Sequence, residues 1–285
     1  MSTTRKPYST DLTDAEWSIL QLLLKLPTGG RPKTTNLREV INAIRYRHKT
    51  GCQWRLLPND FPPEGTVRRY FHYFKRTGQF EDINDDLRKR VRVQEKRDEE
   101  PTLVIIDSQS VKATRTSGER GFDAGKKING IKRHFMVDVL GLIICIVVHA
   151  ANIQERAGAK LLLAKAENKG MPQLIKVLAD DGYSGESMRE HVREKHGWEF
   201  ETVKRPELHK FVVMPKRWVV ERTIGWMGNF RALSKDYDTD PKTGESNILL
   251  GSIHYMLRRL TNEPAVKEDW IDKANEEKLA QVAKK

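Results

Sequence analysis

Two apolar runs that each close on an aspartate constrain this chain most. Thr102-Leu103-Val104-Ile105-Ile106 ends at Asp107, and Leu174-Ile175-Lys176-Val177-Leu178-Ala179 ends at Asp180, with Asp181 beside it. The first run is almost continuously apolar, which predicts a strand covered on both faces and so a sheet that needs layers above and below it. Stretches 131–139 and 142–149 are also strand-like, and Leu140-Gly141 between them signals a hairpin. A helix is expected over 155–169, carrying Leu161, Leu162 and Leu163. After the second run come a helix over 186–195, a short strand over 199–203, a helix bearing Glu221 and a last helix over 247–260. This order predicts a mixed α/β sheet with helices on both faces.

The first hundred residues read as helices. Thr13 and Glu16 form a capping box ahead of Trp17, Leu20, Leu23 and Leu24, and Pro27 with Thr28-Gly29-Gly30 stops that helix. Asn36 and Glu39 repeat the cap before Val40, Ile41 and Ile44, with Gly51 as the stop. Val67, Tyr70, Phe71 and Phe74 line one face of a third helix whose other face carries Arg68, Arg69, Lys75 and Arg76. A small helical unit ending in a basic helix resembles a helix-turn-helix DNA reader, although an amphipathic helix with a solvated charged face has the same pattern. Residues 81–100 are heavily charged, with few large apolar side chains, and are expected to be an exposed helix and linker up to Pro101. The expected division is 1–98 helical and DNA-binding, 99–262 catalytic, and 263–285 a charged tail.

The formal net charge of +12 favours a polyanionic partner, because Lys and Arg that meet phosphates release condensed counterions. Cys52 and Cys145 form no C-x-x-C pattern and are too few for a disulfide framework. The first ten residues are polar and basic, and no apolar stretch approaches the roughly 18 residues of a membrane span. A cytoplasmic, nucleoid-associated protein with no membrane partner is expected. No G-x-S-x-G elbow, P-loop or G-x-G-x-x-G occurs, which leaves serine hydrolases, NTPases and dinucleotide enzymes without support.

Glu221 lies in Arg217-Trp218-Val219-Val220-Glu221-Arg222, a stretch free of Gly and Pro that predicts a helix. Carboxylates at two strand ends and on one helix can converge on a pair of divalent metals, and such pairs drive in-line displacement at phosphorus. Mg²⁺ prefers hard oxygen ligands and keeps several waters, so three carboxylates and a substrate phosphate suffice. Asp107 would bridge, Asp180 would hold one metal and Glu221 the other. Asp181 competes with Asp180, since neighbours on a strand point opposite ways. Asp138 alternates within a strand, and Glu155 begins a helix, where an acid suits the dipole. Gly225 and Gly228 share a face with Glu221 and suggest close approach of another backbone there. Two basic stretches flank the acids: Lys112, Arg115, Arg120, Lys126, Lys127, Lys132 and Arg133, then Lys204, Arg205, Lys210, Lys216, Arg217, Arg222 and Arg231. Such a rim would hold the phosphates on either side of the one being cut. His134 and His149 lie on strands, where satisfied core histidines are the commoner outcome.

Four blocks, in order, carry a resemblance: Ile105-Ile106-Asp107-Ser108-Gln109-Ser110-Val111-Lys112, then Gly125-Lys126-Lys127-Ile128-Asn129-Gly130-Ile131-Lys132-Arg133-His134, then Leu178-Ala179-Asp180-Asp181-Gly182-Tyr183, and Val220-Glu221-Arg222-Thr223-Ile224-Gly225-Trp226. Together with Trp54-Arg55-Leu56-Leu57-Pro58 they resemble the DDE transposases of bacterial insertion sequences, in the group called insertion-sequence family five, over roughly residues 12–260. The resemblance implies an RNase H-like core, Mg²⁺-dependent cleavage at element ends (with Mn²⁺ as a substitute) and strand transfer to double-stranded target DNA by a homodimer. It favours Asp180 over Asp181 and matches Arg217 to the arginine four residues before the catalytic glutamate. Gly228 stands where many relatives have Lys or Arg, and Arg231 would take over that contact. The interval 221 − 180 = 41 is too short for the inserted β-domain of some relatives, so no hairpin-forming mechanism is implied. A structure-selective nuclease on the same scaffold and a non-catalytic DNA-binding descendant are the alternatives.

Overall fold

The computed structural model describes residues 5–26, 34–203 and 218–262. Helix α1 (Asp14–Leu20) starts with the expected capping box: Thr13 accepts from the Glu16 N–H and Glu16 reaches back to the Thr13 N–H. Asn36 caps α2 (Leu37–Thr50), which stops at Gly51 in the left-handed region at φ +69°. A loop carrying the short 3₁₀ turn Trp54–Leu56 leads to α3 (Glu64–Arg76). Val67, Tyr70, Phe71 and Phe74 of α3 are buried, while Arg68 and Arg69 face solvent.

The charged stretch after α3 contains the expected helix, but not an exposed one. It forms α4 (Gln79–Gln94), which buries Phe80, Ile83, Leu87 and Val91 at helical spacing. Even its charges turn inward: Arg88 Nη2 lies 3.1 Å from Glu100 Oε2, and Arg92 pairs with the fully buried Asp138. Charge density concealed a four-residue apolar stripe, because each apolar residue is separated from the next by two or three polar ones.

The sheet contains β1 (Leu103–Lys112), β2 (Gly121–Asp123), β3 (Ile128–Asp138), β4 (Ile143–Ala150), β5 (Lys176–Asp180) and β6 (Glu199–Val203). The order is β2-β3-β1-β5-β6, with β4 also paired to β3. Strands β1, β3 and β4 run antiparallel, whereas β1, β5 and β6 run parallel. The β3–β4 hairpin turns at Gly141, φ +81°. The remaining helices are α5 (Glu155–Asn168), α6 (Glu186–His196), α7 (Trp218–Met227) and α8 (Pro241–Thr261).

Both sheet faces are covered, as the apolar run into Asp107 requires. One face carries Val104, Ile106, Met136, Val177 and Ala179, packed under Leu162 and Leu163 of α5 and Met188 and Val192 of α6. The other carries Ile105, Phe135, Val137 and Leu178, and here α7, α8 and the N-terminal helices join a single cluster. Each large aliphatic side chain buried there contributes about 1.5–3 kcal/mol relative to exposure. Polar contacts cross the same seam: Asn84 Nδ2 donates to the Ile143 carbonyl at 2.8 Å, and Lys75 Nζ reaches Asp240 Oδ2 at 2.7 Å. The expected tail, 263–285, lies outside the described residues. Among the described residues, no helix is long and apolar enough to cross a membrane.

Candidate active site

The parallel register of β1 with β5 pairs Leu103 with Lys176, Val104 with Val177 and Ile105 with Leu178. Two residues further along each strand stand Asp107 and Asp180. Since side chains alternate, both aspartates project to the face that buries Ile105 and Leu178. Helix α7 lies on that same face, burying Val219 and Val220 in the cluster and leaving Glu221, next in sequence, exposed. Asp107 Oδ1 accepts from the Ser108 N–H at 2.7 Å, and Asp180 Oδ1 accepts from the Gly182 N–H at 3.0 Å. Asp181 is exposed and begins the 3₁₀ turn Asp181–Tyr183.

Beneath the aspartates, Tyr183 is fully buried. Burial first, then the charges of Asp107, Glu155 and Asp180, hold its hydroxyl well above the usual tyrosine range, so it stays neutral. Its oxygen lies 3.3 Å from His134 Nδ1. His134 and His149 are core residues as expected: burial, reinforced by His149, Lys132 and Lys126, pushes His134 down to about 3.

Ser108 and Tyr183 are polar residues to which the sequence assigns no role, and Glu155 is one to which it assigns only that of a helix-dipole partner. Glu155 Oε1 accepts from Ser108 Oγ at 3.2 Å and lies 3.3 Å from Lys126 Nζ. The signal that could have found it is Gly182. A Cβ there would stand 2.5 Å from Glu155 Oε2 and 3.1 Å from Asp180 Oδ1, so a side chain at 182 would push the Glu155 carboxylate from where it stands.

As a donor set, Asp107, Asp180 and Glu221 supply the hard oxygens that Mg²⁺ prefers. Among the described residues, however, no group of three or more His, Cys, Asp or Glu side chains is drawn together tightly enough to hold a metal ion. The expected close backbone approach at the α7 glycines is also absent. Among the described residues, a Cβ at Gly225 would meet nothing within 4 Å, and one at Gly228 would meet only the Gly225 carbonyl, at 3.0 Å.

The basic residues divide by environment. Lys112, Lys126, Lys127, Arg231, Arg68 and Arg69 are exposed. Lys132 and Arg133 are not, at 4% and 2% exposure, which corrects the expectation that they line a DNA-facing rim. Lys132 Nζ lies 3.2 Å from Asp123 Oδ2, and Arg133 Nη1 donates to the Leu233 carbonyl at 2.8 Å. Strand β3 has neighbours on both edges and layers on both faces, so neither of its two sides offers a route to solvent. Arg222 is held between two indoles, its guanidinium 4.5 Å from the Trp218 ring and 4.6 Å from the Trp226 ring, and Nη2 donates to the Leu140 carbonyl at 3.1 Å. That makes it a brace for α7 and the hairpin turn. Asp138 is likewise structural, accepting from the N–H groups of Leu140 and Leu142 at 2.9 Å each and pairing with Arg92. Arg217, Lys204, Arg205, Lys210 and Lys216 lie outside the described residues.

Comparison with known families agrees with this architecture. A model of the transposase DDE domain matches residues 98–255, the sheet and its helices. A second, for transposases of the IS4/5 family, matches residues 12–84, which include α1, α2 and α3. No curated protein matches the chain. With two aspartates projecting to one sheet face, and the DDE-domain match running over more than half its length, this chain belongs to the transposase DDE-domain family.

Proposed function

We propose that the chain is a DNA transposase that binds insertion-sequence ends and carries out divalent-metal-dependent strand cleavage and strand transfer, with Asp107, Asp180 and Glu221 as its catalytic carboxylates. The observation that carries this is the shared face: Asp107 and Asp180 each lie two residues beyond the paired Ile105 and Leu178 on adjacent parallel strands, on the face against which α7, the helix that bears Glu221, packs. Asp107, Asp180 and Glu221 would supply the carboxylate oxygens that hold the divalent metal ions, Mg²⁺ with Mn²⁺ as a substitute. Bound there, the ions would polarise the attacking oxygen and neutralise the leaving one. The chain contributes pre-orientation, because a backbone N–H fixes one oxygen of each aspartate and little freedom is left to lose at the reacting geometry.

DNA is gripped in two places in this proposal. The exposed Arg68 and Arg69 of α3 serve the helix-turn-helix-like unit within residues 1–98. Lys112, Lys126, Lys127 and Arg231, which are exposed, and Arg217, outside the described residues, would hold phosphates around residues 99–262. Two element ends brought together call for a homodimer on the DNA.

The test is a cleavage and joining assay with Mg²⁺ on DNA flanking the gene, using the wild type and the Asp107→Asn, Asp180→Asn, Asp181→Asn and Glu221→Gln variants. Nicks at the terminal repeats that vanish with Asp107, Asp180 or Glu221 but survive Asp181→Asn are expected. The loss should reach about a thousandfold, or roughly 4 kcal/mol of transition-state stabilisation. Cutting of branched DNA without any need for repeats would mean a structure-selective nuclease. Binding to the repeats with no cutting under any metal would mean a non-catalytic relative.

A further inference from the structure

We infer that Glu155 is a positioning residue of the carboxylate site, fixing Lys126 beside Asp107 and the Gly182 turn behind Asp180 from the opposite face of the sheet. This rests on the functional proposal above, since it matters only where Asp107 and Asp180 do chemistry.

An acid in the first turn of a helix is ordinarily a dipole partner that can point into water. Glu155 instead uses both oxygens. Oε1 accepts from Ser108 Oγ at 3.2 Å and stands 3.3 Å from Lys126 Nζ. Oε2 occupies the place a side chain on residue 182 would need, 2.5 Å from the ideal Cβ. Ser108 is the residue whose N–H fixes Asp107, and Gly182 is the residue whose N–H fixes Asp180. One carboxylate on α5 therefore bonds the side chain of the residue that orients Asp107 and fills the side-chain position of the residue that orients Asp180.

Lys126 completes the arrangement. Its ammonium lies 3.2 Å from the Ser108 carbonyl and 3.4 Å from Ser108 Oγ while its side chain remains 41% exposed. Glu155 holds that cation over the peptide next to Asp107 without enclosing it, so a phosphate can still approach the ammonium. A salt bridge at such an exposed site contributes little to folding, so its value lies in placement. Groups that orient metal-binding carboxylates from behind typically cost about 10–100-fold in metal affinity or activity when removed.

The test compares the full-length wild type with Glu155→Gln, Glu155→Asp, Gly182→Ala and Asp107→Asn. Three quantities are read: Mn²⁺ affinity by electron paramagnetic resonance, single-turnover nicking of terminal-repeat DNA, and affinity for that DNA without metal. Glu155→Gln should weaken Mn²⁺ binding and slow nicking by about 10–100-fold, with a smaller loss of DNA affinity through the released Lys126 and an unchanged melting temperature. Glu155→Asp, which keeps the charge, should recover part of the loss. Gly182→Ala should reproduce it from the other side of the contact, and covers the case in which Glu155→Gln does not fold. Wild-type Mn²⁺ affinity and nicking in both Glu155→Gln and Gly182→Ala, alongside an inactive Asp107→Asn, would overturn the inference and leave the transposase proposal standing. An Asp107→Asn variant that binds Mn²⁺ and nicks as the wild type does would overturn that proposal, and the inference with it.

Discussion

Arg68 and Arg69 on α3, and Lys132 and Arg133 on β3, are two pairs of neighbouring cations with opposite surroundings. On a surface helix, successive side chains are separated by about 100° around the axis, so both members of a pair can lie on the wet side. On a strand they point to opposite faces, and β3 is covered on both. Arg68 and Arg69 are exposed, whereas Lys132 is answered by Asp123, and Asp236 and Asp238 offset the burial of Arg133. A count of basic residues treats the pairs alike, but the element that carries them decides whether the charge is presented to a ligand or spent on the core.

The sharpest way to break this comparison is to remove a cation on the buried side. Arg92→Met leaves Asp138 charged, buried and without its guanidinium, and should destabilise the fold by about 3–5 kcal/mol in urea unfolding. A variant as stable as the wild type would show that these inward charges are incidental.

Next in size, Lys132→Met should cost about 1–3 kcal/mol by depriving Asp123 of one partner. It should also change the acid limb of stability. Burial alone would raise the Asp123 carboxyl, yet hydrogen bonds from Ser110 and the Lys126 N–H, with the Lys132 ammonium, outweigh it and bring the group to about 2. A carboxyl depressed below its unfolded value near 3.8 contributes stability above that value and loses it as pH falls towards about 2. Unfolding measured from pH 5 to 2 should be steeper in the wild type than in Lys132→Met.

A third effect spans a milder range. Burial pushes both His48 and His134 down to about 3, so each stays neutral in the fold while the unfolded chain takes up protons below about 6.5. Stability must then fall as pH drops from about 6.5 towards 3, by at most about 1.4 kcal/mol per pH unit for each ring. Denaturation midpoints that stay flat between pH 7 and 5 would contradict neutral, buried rings. The smallest stability effect belongs to the exposed pair: Arg68→Ala and Arg69→Ala should each stay within about 0.5 kcal/mol of the wild type. Each should nonetheless lower the slope of log affinity for DNA against log salt by about one.

What could be seen in the sequence followed the same division. The strand ending at Asp180 and the hairpin at Gly141 are local patterns, and the structure has them; the run into Asp107 is a strand too, but β1 continues to Lys112, so Asp107 stands in mid-strand and not at an end. The Thr13–Glu16 capping box is local as well, although nothing local indicates that Glu16 also pairs with Arg45 at 2.9 Å. The helix at α4 is legible in the sequence, but its buried face is obscured because its apolar stripe is narrow and its charges dominate any window average. Glu155 reads only as a helix-dipole partner because its other partners are remote in sequence: Ser108 is 47 positions away, and only the folded sheet brings them together. Lys132 and Arg133 could have been suspected from their place inside a strand, where two adjacent side chains cannot both face one side.

The apolar cluster that runs from α3 and α4 through α8 to the sheet has a mechanical consequence. Two modules on a linker could grip DNA at one point and act at any other within reach. Here Phe71, Leu87, Ile253 and Ile105 belong to one packed body, so the span from Arg68 and Arg69 to Asp107 is a fixed length. If it acts on DNA as proposed, such a body would work as a caliper: where it grasps a duplex would determine the phosphate that comes before its acids. Lengthening the spacer by a base pair should move the cut by one nucleotide along the sequence rather than silence it.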